Sequence, residues 1–158
     1  LTGGDTSNVT CYATLNGKLS GGTVGTFVRM HRLGLADQLS DPFLLGGGDN
    51  VSTVVEDFDR IEFCKEVNAW TAPFMMAPIN TRVVRRTNHL FDLEGPSSYG
   101  SNFQYEERAL AKNKAHAKAL ERLNRVSVDA REEMIERGSL PKPGQGPDES
   151  TYCSSALF

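Results

Sequence analysis

Residues 70–91 read WTAPFMMAPINTRVVRRTNHLF. The stretch opens on an apolar run with the chain's only tryptophan, Trp70, and passes two prolines, Pro73 and Pro78. Ile79, Val83, Leu90 and Phe91 then recur at helical spacing, which predicts an amphipathic helix of about three turns. Pro78 falls in its first turn, where the missing N–H has no intrahelical partner to lose. The same segment carries Asn80, Arg82, Arg85 and Arg86. Arg82 and Arg86 are four apart and Arg85 three from Arg82, so the guanidiniums crowd one side of a helix. Such a cluster can hold a carboxylate or phosphate in forked hydrogen bonds. The competing reading pairs the arginines with Asp92, Glu94 or Glu106 on the surface, and makes Asn80 a helix N-cap.

Upstream, residues 8–16 alternate, with Val9, Cys11, Ala13 and Leu15 on one side. This predicts a half-buried strand closed by an Asn16-Gly17 turn. Ser20-Gly21-Gly22-Thr23 follows, with Ser20 as N-cap of a helix whose apolar face is Val24, Phe27, Val28, Leu35 and Leu39, with His31 inside the stripe. Its free N–H groups could face a ligand anion. On the residues alone, the favoured reading is that the glycines let the helix start pack against a neighbouring strand. Asp41-Pro42 ends the helix, and residues 46–50 form a glycine-rich loop. One or two short strands are expected in residues 51–58 and 61–67, with Asp57, Asp59, Glu62 and Glu66 on a solvated strand face.

Downstream, residues 93–102 have turn chemistry and Phe103-Gln104-Tyr105 reads as a short strand. A long helix is predicted from about Ala109 to Arg137, stopped by Gly138. Its narrow stripe begins with Ala111, Ala115 and Ala119, and Glu121–Arg125 and Glu133–Arg137 are favourable pairs four apart. Lys112, Lys114 and Lys118 read as a solvated face. The sum is an α+β fold, a mixed or antiparallel sheet packed against helices with one long surface helix near the C-terminus. Residues 1–140 are read as one domain, and 141–158 as a tail or the start of a truncated final strand.

At 158 residues the chain is one domain by length. A net charge of −3 gives no general attraction to nucleic acid or anionic membranes. No apolar run approaches the ~20 residues of a membrane helix. Cys11, Cys64 and Cys153 show no metal-like spacing, the three histidines are scattered, and no metal site is read. An unpaired cysteine count suits a reducing, intracellular and cytoplasmic location. The sequon matches at Asn8 and Asn50 are of the kind that occur by chance. No nucleophile elbow appears, so the catalytic residues are not identified. Leu1 in place of Met, and an ending in Ser155–Phe158 like half a strand, suggest a fragment.

The run from Ala77 to Phe91, followed by Tyr99-Gly100 and by Phe103–Glu106, resembles the second domain of saccharopine dehydrogenase-like oxidoreductases. Ser20–Thr23, Asp41-Pro42-Phe43 and Gly146-Pro147 extend the likeness over most of the chain. The family includes a trans-acting enoyl reductase and has links to lipid metabolism. The resemblance implies a nicotinamide (NAD(P)) oxidoreductase when full-length, with an N-terminal Rossmann domain as intramolecular partner. A homodimer and a small-molecule or lipid-derived substrate are further implications. Ser20, Gly21, Gly22, Thr23, Asn80, Arg82, Arg85 and Arg86 are the substrate-binding candidates. No Gly-x-Gly-x-x-Gly occurs here, so this chain alone is expected to bind no dinucleotide and to be inactive by itself. Lipid-droplet or membrane contact, which a strongly apolar counterpart of this region suggests for some members of the family, is put in doubt by the charges of the 109–137 segment. The alternative is a non-catalytic protein-interaction module, which a nearby upstream start codon would favour over an upstream Gly-rich loop.

Overall fold

Nine residues separate the helix that ends at Glu94 from the strand, beginning at Gln104, that holds the sheet together. The computed structural model describes residues 8–14, 19–42, 44–45, 56–94, 99–100 and 102–146. Its elements are β1 (Asn8–Ala13), α1 (Gly21–Arg32), α2 (Ala36–Leu39), β2 (Glu62–Cys64), β3 (Ala69–Pro73), α3 (Ala77–Glu94), β4 (Gln104–Ala111), α4 (Lys114–Asn124) and α5 (Val128–Glu136). The sheet order is β1-β4-β3-β2. β1 runs parallel to β4, from Asn8 opposite Gln104 to Ala13 opposite Ala109, and the other two pairings are antiparallel. The sheet is therefore mixed and the class α+β, as the sequence predicts.

Register sorts the strand residues into two faces, because directly opposed residues point the same way. On one face Ala13, Ala109 and Ala72 line up, with Trp70 opposite Ala111. These small side chains let helices approach closely. Ala13 and Ala109 cluster with Phe74 and Ala77, and Ala72 and Ala111 with Ala117 of α4, while Leu120 packs against both groups. The other face is polar. Arg108 bonds Glu106 (2.7 Å) and Glu62, Thr10 donates to Glu106 (3.1 Å), and Arg60 holds Glu62 (2.8 Å). The Arg108 guanidinium lies 4.1 Å from the Phe58 ring centre, a cation–π contact over a buried aromatic.

Three sequence readings are corrected. The long helix does not exist as one piece: residues 109–111 belong to β4, and Arg125-Val126-Ser127 separates α4 from α5. Asn113 and Ser127 provide the separate N-caps, accepting from the amides of His116 (2.9 Å) and Ala130 (3.3 Å). The buried side of α4 is accordingly Ala117, fully enclosed, while Ala115 and Ala119 are exposed. The predicted apolar face of α3 is also misplaced, since Val83 is 53% and Phe91 40% exposed. Ala77, Thr81 and Arg82 are the residues it buries. Finally, the four acids divide: Asp59 and Glu66 are exposed as expected, with Glu66 accepting from Cys64 Sγ (3.0 Å), whereas Glu62 and Asp57 are half-buried and ion-paired, Glu62 as above and Asp57 with Arg82. The expected 61–67 strand is β2, while the Asn16-Gly17 turn, most of the 46–58 region and residues 147–158 lie outside the described residues. Among the described residues no helix is long and apolar enough to cross a membrane.

Candidate functional site

The arginines of α3 have different fates. Arg82, 3% exposed, donates to Asp57, to Thr81 Oγ1 (2.8 Å) and to the carbonyls of Leu39 (2.6 Å) and Asp41 (3.1 Å). Thr81 Oγ1 also reaches Asp57 (3.1 Å), so one carboxylate gathers the turn of α3 that carries both. Arg85 donates to the carbonyls of Pro42 (2.9 Å) and Tyr105 (3.3 Å) and stands 3.8 Å from Asp57. Burial pushes its pKa below the ordinary arginine value, against the pull of Asp57. The partner is thus Asp57, in a non-helical segment, and not Asp92 or Glu106. Arg86 is half-buried and makes no ion pair among the described residues. Asn80 is not an N-cap: it lies inside α3 and donates to the buried Glu107 (3.0 Å), which also accepts from Tyr105 (2.8 Å). Burial, followed by that bond, raises the Tyr105 phenol's pKa above its usual range.

Ser20 caps α1 as predicted, its Oγ accepting from Thr23 N (3.2 Å). The turn is filled by the chain's own backbone: Gly21 N donates to Gln145 O (2.7 Å). A Cβ on Gly21 would lie 1.7 Å from Lys142 O. Close approach is what this glycine provides. No hydrogen bond or ion pair among the described residues joins Ser20–Thr23 to the arginine cluster.

A space able to take a ligand lies elsewhere among the described residues, where the end of β3 turns into α3. A cavity of about 450 Å³ opens there, within the roughly 300–1,000 Å³ of small-molecule pockets. Phe27 of α1, Leu39 of α2, and Phe58, Pro73, Phe74 and Met75 give it apolar walls. Ala36, Ala77 and Pro78 continue them, and His31, Asp57, Asp59, Glu121, Asn124, Arg125 and Arg131 supply polar groups. Asn124 Nδ2 donates to Pro73 O (2.7 Å), tying the end of α4 to the end of β3. Arg131, on α5, donates to the carbonyls of Leu123 (2.9 Å), Asn124 (3.4 Å) and Val126 (3.1 Å) and so closes the C-terminus of α4. Burial alone pushes its pKa down. Of the sequence candidates none lines this cavity. The signal that could have found it was the Pro73–Pro78 run, whose two prolines mark a bend built from apolar side chains.

Over 117 residues the chain is 32% identical to a Mycobacterium tuberculosis protein named as a trans-acting enoyl reductase, covering 66% of this chain and 27% of the relative. A Mycobacterium bovis trans-acting enoyl reductase is 30% identical over 157 aligned residues, 84% of this chain and 36% of the relative. The chain is similar to trans-acting enoyl reductases. It spans about a third of the length of these curated relatives. No family model matches it, and no solved structure does.

Proposed function

We propose that this chain is the substrate-facing part of a nicotinamide-dependent enoyl reductase of the saccharopine dehydrogenase-like kind. The observation that carries the reading is the 450 Å³ apolar cavity at the β3–α3 bend, in a chain similar to proteins named for reducing enoyl groups. Saturating a C=C bond of an acyl chain needs a place that holds the chain and excludes water from the reacting carbons. Phe27, Phe58, Phe74 and Met75 offer that surface.

The dinucleotide does not fit the one glycine-rich helix start described here. A pyrophosphate needs free amides and open space at a helix N-terminus, and Gln145 O and Lys142 O stand in that position at α1. The nicotinamide is therefore assigned to a Rossmann domain outside these residues. The substrate is acyl in type, small or lipid-derived.

The test uses the full-length protein with a reduced nicotinamide dinucleotide and a trans-2-enoyl thioester, following nicotinamide oxidation. Ala36 lines the cavity from a short exposed helix, so Ala36→Trp should plug it with little effect on the core. A KM increase on the order of tenfold, the equivalent of ~1.4 kcal/mol of lost binding, is expected at an unchanged melting temperature. No turnover of any enoyl thioester, or unchanged kinetics in the plugged variant, would sink the reading.

A further inference from the structure

We propose that Arg131 receives the anionic end of the acyl ligand whose chain fills the cavity, making the ligand class an apolar chain ending in a carboxylate or phosphate. The inference rests on the cavity's being the substrate site. Arg131 lines the cavity, and its three hydrogen bonds, from Nε and Nη2, all go to backbone carbonyls at the end of α4. Nη1 has no acceptor among the described residues.

Most of the surrounding acids are engaged by other cations, the exceptions being Asp59 and the exposed Glu136 at the end of α5, neither ion-paired among the described residues. On its own helix, Asp129 and Glu132 are held by Arg32, and Glu133 by Arg137. On the cavity wall, Glu121 is held by Arg125 and Asp57 by Arg82. Asp59 is the remaining acid of the lining, exposed and without an ion pair among the described residues. Closing a helix C-terminus explains where Arg131 sits, since carbonyl dipoles there favour a cation. Among the described residues it leaves the positive charge without an ion-paired carboxylate at the edge of an apolar hollow. Arginine stays protonated in proteins, and a half-buried guanidinium lacking a counter-ion binds an anion more strongly than a solvated one does.

The test measures dissociation constants of decanoate, decyl phosphate and decanol for the full-length protein. These probes share a chain and differ in the end group, and the two anions separate a fatty-acid carboxylate from a phosphate-bearing carrier. In the wild type the better anion should bind on the order of tenfold more tightly than decanol, as a charge-assisted hydrogen bond allows. Its advantage should shrink as salt is raised. Arg131→Gln should remove the advantage and leave decanol binding unchanged. Decanol binding as tightly as both anions in the wild type would overturn the assignment while leaving the cavity as substrate site. An advantage that survives Arg131→Gln would also overturn it, placing the anion elsewhere. Failure of all three probes to bind would remove the cavity reading as well. Arg131→Lys keeps the charge and can still reach a carbonyl, so it serves if the Gln variant does not fold. It should weaken the anion severalfold without touching decanol, and anion affinity equal to wild type would refute the role.

Discussion

Gly21 and Gly22 are neighbours in the first turn of α1, and the structure predicts opposite responses to the same substitution. Replacing a helical glycine by alanine ordinarily stabilises by about 0.5–1 kcal/mol, through lower entropy of the unfolded chain. At Gly22 the new Cβ would meet only Ser20 Oγ, at 3.8 Å, so that gain should appear. At Gly21 it would land 1.7 Å from Lys142 O and 2.4 Å from Lys142 C, which are backbone atoms and cannot swing aside. The segment must withdraw, at an overpacking cost of about 1–3 kcal/mol. It would also lose the 2.7 Å bond from Gly21 N to Gln145 O, a further ~0.5–1.5 kcal/mol. The net for Gly21→Ala is a loss of about 1–3 kcal/mol. With ~2–4 °C per kcal/mol for a chain of this size, its melting midpoint should fall by at least about 2 °C while that of Gly22→Ala rises. Thermal unfolding followed by circular dichroism decides it. If both variants rise together, the Lys142–Gln145 segment does not seat on α1 in solution.

Asp57→Ala removes the carboxylate that faces the 3%-exposed Arg82. Leaving a buried charge unpaired costs about 3–5 kcal/mol, so the urea midpoint should drop steeply, and a loss below ~1 kcal/mol would refute the pairing. A pH series tests Glu62. Burial pushes this carboxyl's pKa up, but bonds from Arg60 and Arg108 outweigh that and hold it below the ordinary carboxylate value. A lowered folded pKa means that the unfolded chain binds the proton first. The stabilisation is then complete above the unfolded pKa, about 4.3, and disappears as pH falls through the folded value. Glu62→Gln should be less stable than wild type at neutral pH and decline less in that acid window. Stability curves that stay parallel through it would exclude Glu62 as a contributor.

Period-two alternation located β1, and the two prolines located the start of α3, because both signals are local. The error at Ala109–Ala111 has a physical origin. Alanine is the best helix former, so a stretch ending in Ala109-Leu110-Ala111 and continuing into Lys114–Asn124 looks uniformly helical. What makes these alanines a strand is their partners far off in the chain, Ala13 and Ala72 opposite Ala109 and Trp70 opposite Ala111. That one shift in the helix start also moved its buried face from Ala115 to Ala117. Asp57 was misread for a similar reason, since no periodicity connects it to Arg82, 25 residues later. The cavity was the least legible feature. Its walls come from α1, α2, the 57–59 segment, the β3–α3 bend, α4 and α5, and each contributes one to five residues without a motif.

The parallel pairing of β1 with β4 has a consequence during synthesis. Asn8 pairs with Gln104, 96 positions further on, and among the described residues β1 has no other neighbour in the sheet. At ~5–20 residues per second of translation, β1 leaves the ribosome roughly 5–20 s before its template exists. For that interval Val9, Cys11 and Ala13 form an unpaired strand able to join any other exposed edge. A nascent chain arrested before Gln104 should accordingly be held by chaperones, and released once β4 has emerged.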